Sequence, residues 1–352
     1  MDHHKVPQTL GRSLLVPSVQ EMARKSVFDV VPNRYVRDDL RQDLMNVKNL
    51  DETDHLLPSL PIIDMKSLLG EGEVLDLELE KLHLACKGWG FFQLVNHNVN
   101  GRLVEEVKVG IKDFFNLSIE EKQKYWQKPG DVEGFGQAFV ISEEQKLDWG
   151  DLFYVVTQPE YLRKPHLFPL LPHPFRETLE EYSIELKNLT VKVLKMMAKA
   201  LKMDTEDMKL LFEDGMQAFR MNYYPPCPQP DQVIGLTPHS DAVGLTILLQ
   251  VNNVEGLQIR KDGMWVPVKP LPNAFIVNVG DILEIVTNGI YRSIEHRAVV
   301  NSSKERLSIA TFYSPGVDEE IGPAPSLISS NSPPLFKRIK VEDYFKGFLL
   351  ES

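Results

Sequence analysis

Apolar positions follow two different rhythms along the 352-residue chain, and the change falls near residue 215. Before it the spacing is mostly helical. Leu179, Tyr182, Leu186, Leu189, Val193 and Met197 recur at three- and four-residue intervals, which predicts the buried face of a long helix; Leu75, Leu79, Leu82 and Cys86 mark another. Ser18 with Glu21, and Ser118 with Glu121, stand in capping-box spacing at helix starts. "PIIDM" (61–65) and "GFFQLVNH" (90–97) read as short strands among these helices.

After residue 215 the rhythm turns to β. The runs "AFRMNYY", "GLTILLQ", "GLQIR", "WVPVKP", "AFIVNVG", "RSIEHRAVV" and "LSIATFY" are separated by Pro, Gly, Asn and Asp. Short strands at this spacing predict a sandwich, barrel or jelly roll rather than a parallel sheet with crossover helices. In "NAFIVNVGDILEIVTNG" two apolar runs meet at Gly280-Asp281, where a turn between strands is expected. A Pro- and Ser-rich stretch follows, and the chain closes on the amphipathic "KVEDYFKGFLL". The expected class is α+β: a double-stranded β-helix (jelly roll) core with a mainly helical N-terminal domain and supporting helices. The expected units are an N-terminal extension with a helix (1–58), an N-terminal domain (59–175), a long supporting helix region (176–214), the jelly-roll domain (215–315) and a C-terminal tail with a helix (316–352).

Bulk composition narrows the function classes. A net charge of −11 without a Lys/Arg run argues against nucleic acid and anionic membranes as partners. No stretch approaches the roughly 18 apolar residues of a membrane span, and the N-terminus has no apolar segment of signal-peptide type. Two cysteines, Cys86 and Cys227, make neither a disulfide framework nor a thiolate metal cluster. The expectation is a cytoplasmic protein, monomeric, acting on a small molecule.

The chemistry centres on "TPHSD". His239 and Asp241 stand two apart, and in a strand such residues share a face. A core histidine beside a turn aspartate would look the same. Of the nine histidines, only His239 has a carboxylate two residues later, and only His296 lies further along the β half. If a site of two histidines and one carboxylate exists on these strands, His296 is its third ligand. Such a triad occupies one face of an octahedral metal and leaves positions open, as in non-haem Fe(II) oxygenases. Ten residues beyond His296 comes "RLSIATF". Alternation puts Arg306, Ser308, Ala310 and Phe312 on one face. A guanidinium among buried strand residues needs an anion; that anion is either a structural partner such as Glu255, Glu284 or Glu295, or a carboxylate of a bound co-substrate. His83, His97, His166, His173 and Cys227 carry no comparable constellation.

HxD, one downstream histidine and RxS at this spacing resemble the iron(II)- and 2-oxoglutarate-dependent dioxygenases, in the plant branch with a helical N-terminal domain. "PIIDM", "GFFQLVNH" and "MNYYPPCPQP" extend the resemblance over nearly the whole chain. "GQAFVISEEQKLDW" and the segment from "EGLQIRKDGMW" to "RLSIATF" are similar to the senescence-related-gene-1-like proteins and the poppy alkaloid O-demethylases. The resemblance implies iron ligands His239, Asp241 and His296, with Arg306 and Ser308 on the distal 2-oxoglutarate carboxylate. It implies Asn222 and Tyr224 as completing that co-substrate site, with Tyr223 turned away. It further implies Fe(II), 2-oxoglutarate and O2, with ascorbate as a reductant. Family position suggests Phe135, Gln137 and Phe139 for the substrate pocket. Phe312 joins them from the Arg306 face, and Gln137 or Asp148 would be a polar handle. Asn98 departs from the family's usual "NHG".

The implied reaction is hydroxylation or oxidative O-demethylation of a plant specialised metabolite, an alkaloid first, with succinate and CO2 released. A non-oxidative condensation of the norcoclaurine-synthase-like kind, or hydroxylation of a flavonoid, coumarin or terpenoid, is the alternative.

Overall fold

A computed structural model describes residues 14–25, 30–40, 58–137, 140 and 142–351. In chain order its main strands are β1 (Ile62–Asp64), β2 (Phe91–Val95), β3 (Gly134–Gly136), β4 (Asp151–Gln158), β5 (Met216–Tyr224), β6 (Leu236–His239), β7 (Leu245–Gln250), β8 (Leu257–Lys261), β9 (Met264–Pro267), β10 (Phe275–Val279), β11 (His296–Ala298) and β12 (Arg306–Ser314). Eight of them form one sheet in the order β1-β2-β10-β7-β12-β5-β4-β3. Four form a second sheet in the order β6-β11-β8-β9. The inner faces of the two sheets enclose a cavity lined from both sides, by Leu248, Ala310 and Phe312 on one and Leu236, Leu257 and Ala298 on the other. This is the jelly roll that the β half of the sequence predicts.

The outer face of the large sheet is covered by helices. The long helix Phe175–Ala200 buries Leu179, Tyr182, Leu186, Leu189, Val193 and Met197, each at most 2% exposed. That is the face its apolar spacing predicts, and Tyr182 meets Phe219 of β5 at 5.6 Å between ring centroids. On the helix Gly72–Gly88, Leu82 and Cys86 are buried, Leu79 packs against the core and Leu75 is half-buried. Burying this much branched and aromatic surface, at about 25 cal/mol per Å2, is what fixes the helices on the sheet. Ser118 and Glu121 form a reciprocal capping box. Ser18 caps the helix Val19–Arg24 through Glu21 N–H, and its hydroxyl donates to Asp151 at 2.6 Å.

Two expectations need correction. Gly280-Asp281 is not a hairpin turn: β10 ends at Val279 and a helix runs over Asp281–Val286. Ile282, Leu283 and Val286 lie at helical spacing and are all buried, and a short apolar run does not by itself distinguish helix from strand. Asp281 and Glu284 in the first turn suit a helix N-terminus. Second, the part before residue 215 is less purely helical than its rhythm suggests. Besides the two short strands expected there, β1 and β2, it contributes β3 and the eight-residue β4, "DLFYVVTQ", which pairs with β5 along its length. Asn98, where the resemblance leads one to expect Gly, adopts φ +62°. Asn is among the side chains that tolerate this left-handed conformation, so the exchange keeps the turn.

Candidate active site

His239 ends β6 and His296 begins β11, and the two are cross-strand partners with ring centroids 4.3 Å apart. Asp241 lies just past the end of β6, in the turn before β7, rather than on the strand itself. The turn still returns its carboxylate to the same point. Asp241 Oδ1 is 3.5 Å from His239 Nε2 and 3.6 Å from His296 Nε2.

Each imidazole is oriented from behind. His239 Nδ1 faces the Thr237 carbonyl at 2.8 Å, and His296 Nδ1 faces the Ile294 carbonyl at 3.1 Å. A carbonyl accepts only from N–H, so both rings carry a proton on Nδ1 and turn Nε2 inward. Asp241 is held likewise: its Oδ2 accepts from Thr246 Oγ1 and from Asn278 Nδ2, each at 2.7 Å, which leaves Oδ1 for the imidazoles. Burial would raise this carboxyl, but His296, His239 and the Asn278 amide hold it well below the usual carboxylate range. Burial, with His239 alongside, pushes His296 down to about 4. Two imidazoles and one carboxylate therefore converge in the cavity wall with all three ligand atoms within 4.8 Å. Borderline nitrogen and hard oxygen donors on one side, with the cavity open on the other, fit a six-coordinate Fe(II).

Arg306, 2% exposed, lines the same cavity. Its Nη2 donates to Gln250 at 3.2 Å, its guanidinium lies 5.3 Å from the centroid of the Tyr224 ring, and its Nε has no hydrogen-bond partner among the described residues. None of the three candidate glutamates pairs with it. Glu284 instead accepts from Ser293 N–H at 2.6 Å and meets Arg292, while Glu255 and Glu295 are exposed. Burial lowers the Arg306 pKa, so a buried cation with an idle N–H stands open to a carboxylate from outside the protein. Ser308 and Asn222 are cross-strand partners next to the Arg306–Tyr224 pair, and Asn222 Nδ2 donates to Ser308 Oγ at 3.4 Å. All four line the cavity. Tyr223, one residue off, points outward and donates to Glu305 at 2.5 Å.

The candidate pocket residues divide. Phe312 lines the cavity. Phe135 does not: it is fully buried between Phe114 and Phe115, with Lys122 Nζ 5.4 Å from its ring centroid, and serves the core. Gln137 is buried beside Tyr35. Asp148 is already engaged: its Oδ1 accepts from both the backbone N–H and the hydroxyl of Thr237. Phe139 lies outside the described residues. Three residues that the sequence reading passed over also line the cavity: Asn278, Thr246 and Arg220. Arg220 donates from Nε to Asn222 Oδ1 at 2.9 Å and makes no ion pair among the described residues. It alternates with Asn222 and Tyr224 along "FRMNYY", a signal that was available. Asn278, a polar residue 3% exposed inside "FIVNV", was another.

Residues 215–315 match the 2OG-Fe(II) oxygenase superfamily, and residues 60–171 match the family described as non-haem dioxygenase in morphine synthesis N-terminal. The chain belongs to the 2OG-Fe(II) oxygenases and is an enzyme that uses Fe(II) and 2-oxoglutarate. It is 59% identical to Protein SRG1 of Arabidopsis thaliana, over 95% of this chain and 92% of that protein. It is 55% identical to codeine O-demethylase of Papaver somniferum, over 96% and 93%. Among solved structures it resembles that of JOX2 in complex with 2OG, Fe and JA, with a TM-score of 0.83, 35% identity, and 95% and 93% of the two chains covered. Among the described residues no helix is long and apolar enough to cross a membrane.

Proposed function

We propose that this oxygenase removes an O-methyl group from, or hydroxylates, a small aromatic plant metabolite, with alkaloids first and flavonoids second. The observation that carries the site assignment is that one cavity is lined both by the His239–Asp241–His296 cluster and by a buried Arg306 that makes no ion pair among the described residues. In this reading His239, Asp241 and His296 hold the iron. Arg306 and Ser308 take the distal carboxylate of 2-oxoglutarate, with Tyr224 and Asn222 packing its flank. Bound Fe(II) supplies the activation of O2 that couples decarboxylation of 2-oxoglutarate, to succinate and CO2, to oxidation of a C–H bond. The chain supplies position and dryness: fixed imidazoles, a neutralised carboxylate and an apolar wall of Leu236, Leu248, Leu257 and Phe312.

An attacked methyl on oxygen becomes a hydroxymethyl ether, which breaks its C–O bond to give the free hydroxyl and formaldehyde. Substrate class is supported by similarity to codeine O-demethylase and to the oxoglutarate-dependent flavonoid 7-O-demethylase 1 of Ocimum basilicum, 56% identical over 97% of this chain and 89% of that protein. The net charge of −11 and the absence of Lys/Arg runs support work on small molecules rather than nucleic acid; in this reading the enzyme is a cytoplasmic monomer.

The test is incubation with Fe(II), 2-oxoglutarate and O2 against O-methylated alkaloids and flavonoids. Succinate above the uncoupled background, with equimolar formaldehyde, is expected. Product formed without 2-oxoglutarate would instead indicate the condensation chemistry that the name of S-norcoclaurine synthase 1 of Coptis japonica denotes, a protein 46% identical.

A further inference from the structure

Thr237 stands two residues before His239 and supplies the carbonyl that its Nδ1 faces. The strand that carries them offers little support of its own, because β6 is an edge strand paired only with β11. Thr237 is held from outside the sheet instead. Its backbone N–H and its hydroxyl both donate to Asp148 Oδ1, at 3.2 and 2.5 Å. The same hydroxyl accepts from Arg37 Nη1 at 2.7 Å. Arg37 spends its Nε and Nη2 on Asp39, at 3.0 and 2.8 Å, and its backbone N–H on the Gln232 carbonyl at 2.7 Å. The guanidinium therefore has fixed direction, and its remaining Nη1 meets the Thr237 hydroxyl and, at 3.9 Å, Asp148 Oδ1.

Both anchors sit on rigid neighbours. Trp149 N–H donates to the Ile234 carbonyl at 2.7 Å, just ahead of β6, and Leu147 N–H donates to the Arg34 carbonyl at 2.9 Å. Tyr35 stands edge-on to Trp149 with ring centroids 5.3 Å apart. The segment 30–40 and the segment 142–150 thus form one clamp along the open edge of β6.

We infer that Arg37 and Asp148, acting through Thr237, are positioning residues for His239. They fix the carbonyl that keeps the proton on Nδ1 and aims Nε2 at Asp241. With the Thr237 hydroxyl removed, Asp148 loses its shortest donor and Arg37 Nη1 its hydrogen-bond acceptor, and of these side-chain contacts to Thr237 only its backbone N–H to Asp148 is left. A ring free to rotate, or to place its proton on Nε2, is a poorer ligand; outer partners of metal-bound histidines typically account for about 10–100-fold in metal affinity. The inference rests on the assignment of His239 as a metal ligand.

The experiment is anaerobic titration of metal-free full-length protein with Fe(II), and with Co(II) followed by its visible absorption. It compares the unaltered protein with Thr237→Val, Thr237→Ser, Arg37→Met and His296→Ala, alongside the melting temperature of each metal-free form. Thr237→Val and Arg37→Met are expected to weaken metal binding by about 10-fold or more and to change the Co(II) spectrum. Thr237→Ser, which keeps the hydroxyl, is expected to restore both. Unchanged affinity and spectrum in Thr237→Val and Arg37→Met would overturn the inference, as would a lowered melting temperature with binding intact. Arg37→Met, outside the strand, carries the test if Thr237→Val does not fold. Failure of the unaltered protein to bind, or full binding by His296→Ala, would instead remove the metal-site assignment, and this inference with it.

Discussion

Asn278 donates to Asp241 Oδ2 at 2.7 Å from the middle of β10, and this bond decides which carboxylate oxygen faces the two imidazoles. Thr246 of β7 shares the same oxygen. With both donors present, Oδ2 is saturated and Oδ1 is the free ligand atom. Asn278→Ala or Thr246→Val should therefore weaken Fe(II) binding by about 10-fold or more, through a carboxylate that rotates. Metal titration of the two single variants and the double variant checks this. Because both donors restrain one oxygen, the double variant should lose less than the product of the single losses.

Arg306 makes a separable prediction for the co-substrate. Arg306→Gln removes a charge-assisted pair, and hydrogen bonds to charged groups contribute about 1.5–3 kcal/mol, so KM for 2-oxoglutarate should rise about 10–150-fold. Ser308→Ala removes a neutral hydroxyl and should raise it only about 2–10-fold. Arg306→Lys keeps the charge but not the fork and should fall between. Initial rates against 2-oxoglutarate concentration, with Fe(II) saturating, give the ranking. A Ser308 effect equal to that of Arg306 would place the carboxylate elsewhere.

How much of this was legible before the structure is clearest at Phe312 and Phe135. Phe312 follows from alternation: it shares a parity with Arg306, Ser308 and Ala310, and all four line the cavity. Phe135 was nominated by its position in a related loop, with no periodicity to say which way it points. Three-residue β3 turns it into the core against Phe114 and Phe115. The same division runs through the fold. Long helices and the β runs after residue 215 carry strong periodicity and are found where expected. The helix Asp281–Val286 and the strand β4 are too short, or too uniformly apolar, for periodicity to separate the two states. The contacts that hold the ligands were least legible, since Asn278 and Arg37 become neighbours of the site only through pairing between strands and segments distant in sequence, and Thr237, though two residues from His239, meets Asp148 and Arg37 only in the folded chain.

The two phenylalanines therefore predict opposite phenotypes. Phe312→Ala should change relative kcat/KM across a substrate panel, and raise succinate formed without product, while leaving the melting temperature nearly unchanged. Phe135→Ala should cost about 3–5 kcal/mol of stability, the usual range for a buried Phe cut to Ala, and leave the order of substrates as it was. Thermal melts and paired succinate and product measurements distinguish them; a reordered substrate preference in Phe135→Ala would return that residue to the pocket.

Glu133 carries a pH dependence of definite sign. Its carboxylate is 6% exposed, accepts from Val156 N–H at 2.9 Å and meets Lys164 Nζ at 3.1 Å, yet burial outweighs these partners and raises its pKa. The native state therefore holds this proton more tightly than the unfolded chain does. The stability it contributes is complete below the ordinary value of about 4.3 and is lost as pH rises through the raised native value. Glu133→Gln keeps the carbonyl for Val156 and removes the charge, leaving Lys164 with Asp131. Near pH 4 variant and parent should melt together. From there to pH 8 the parent should fall progressively behind the variant in melting temperature. Melting curves at several pH values decide it. A parent that gains on the variant as pH rises would mean the Lys164 pair, not burial, governs this carboxylate.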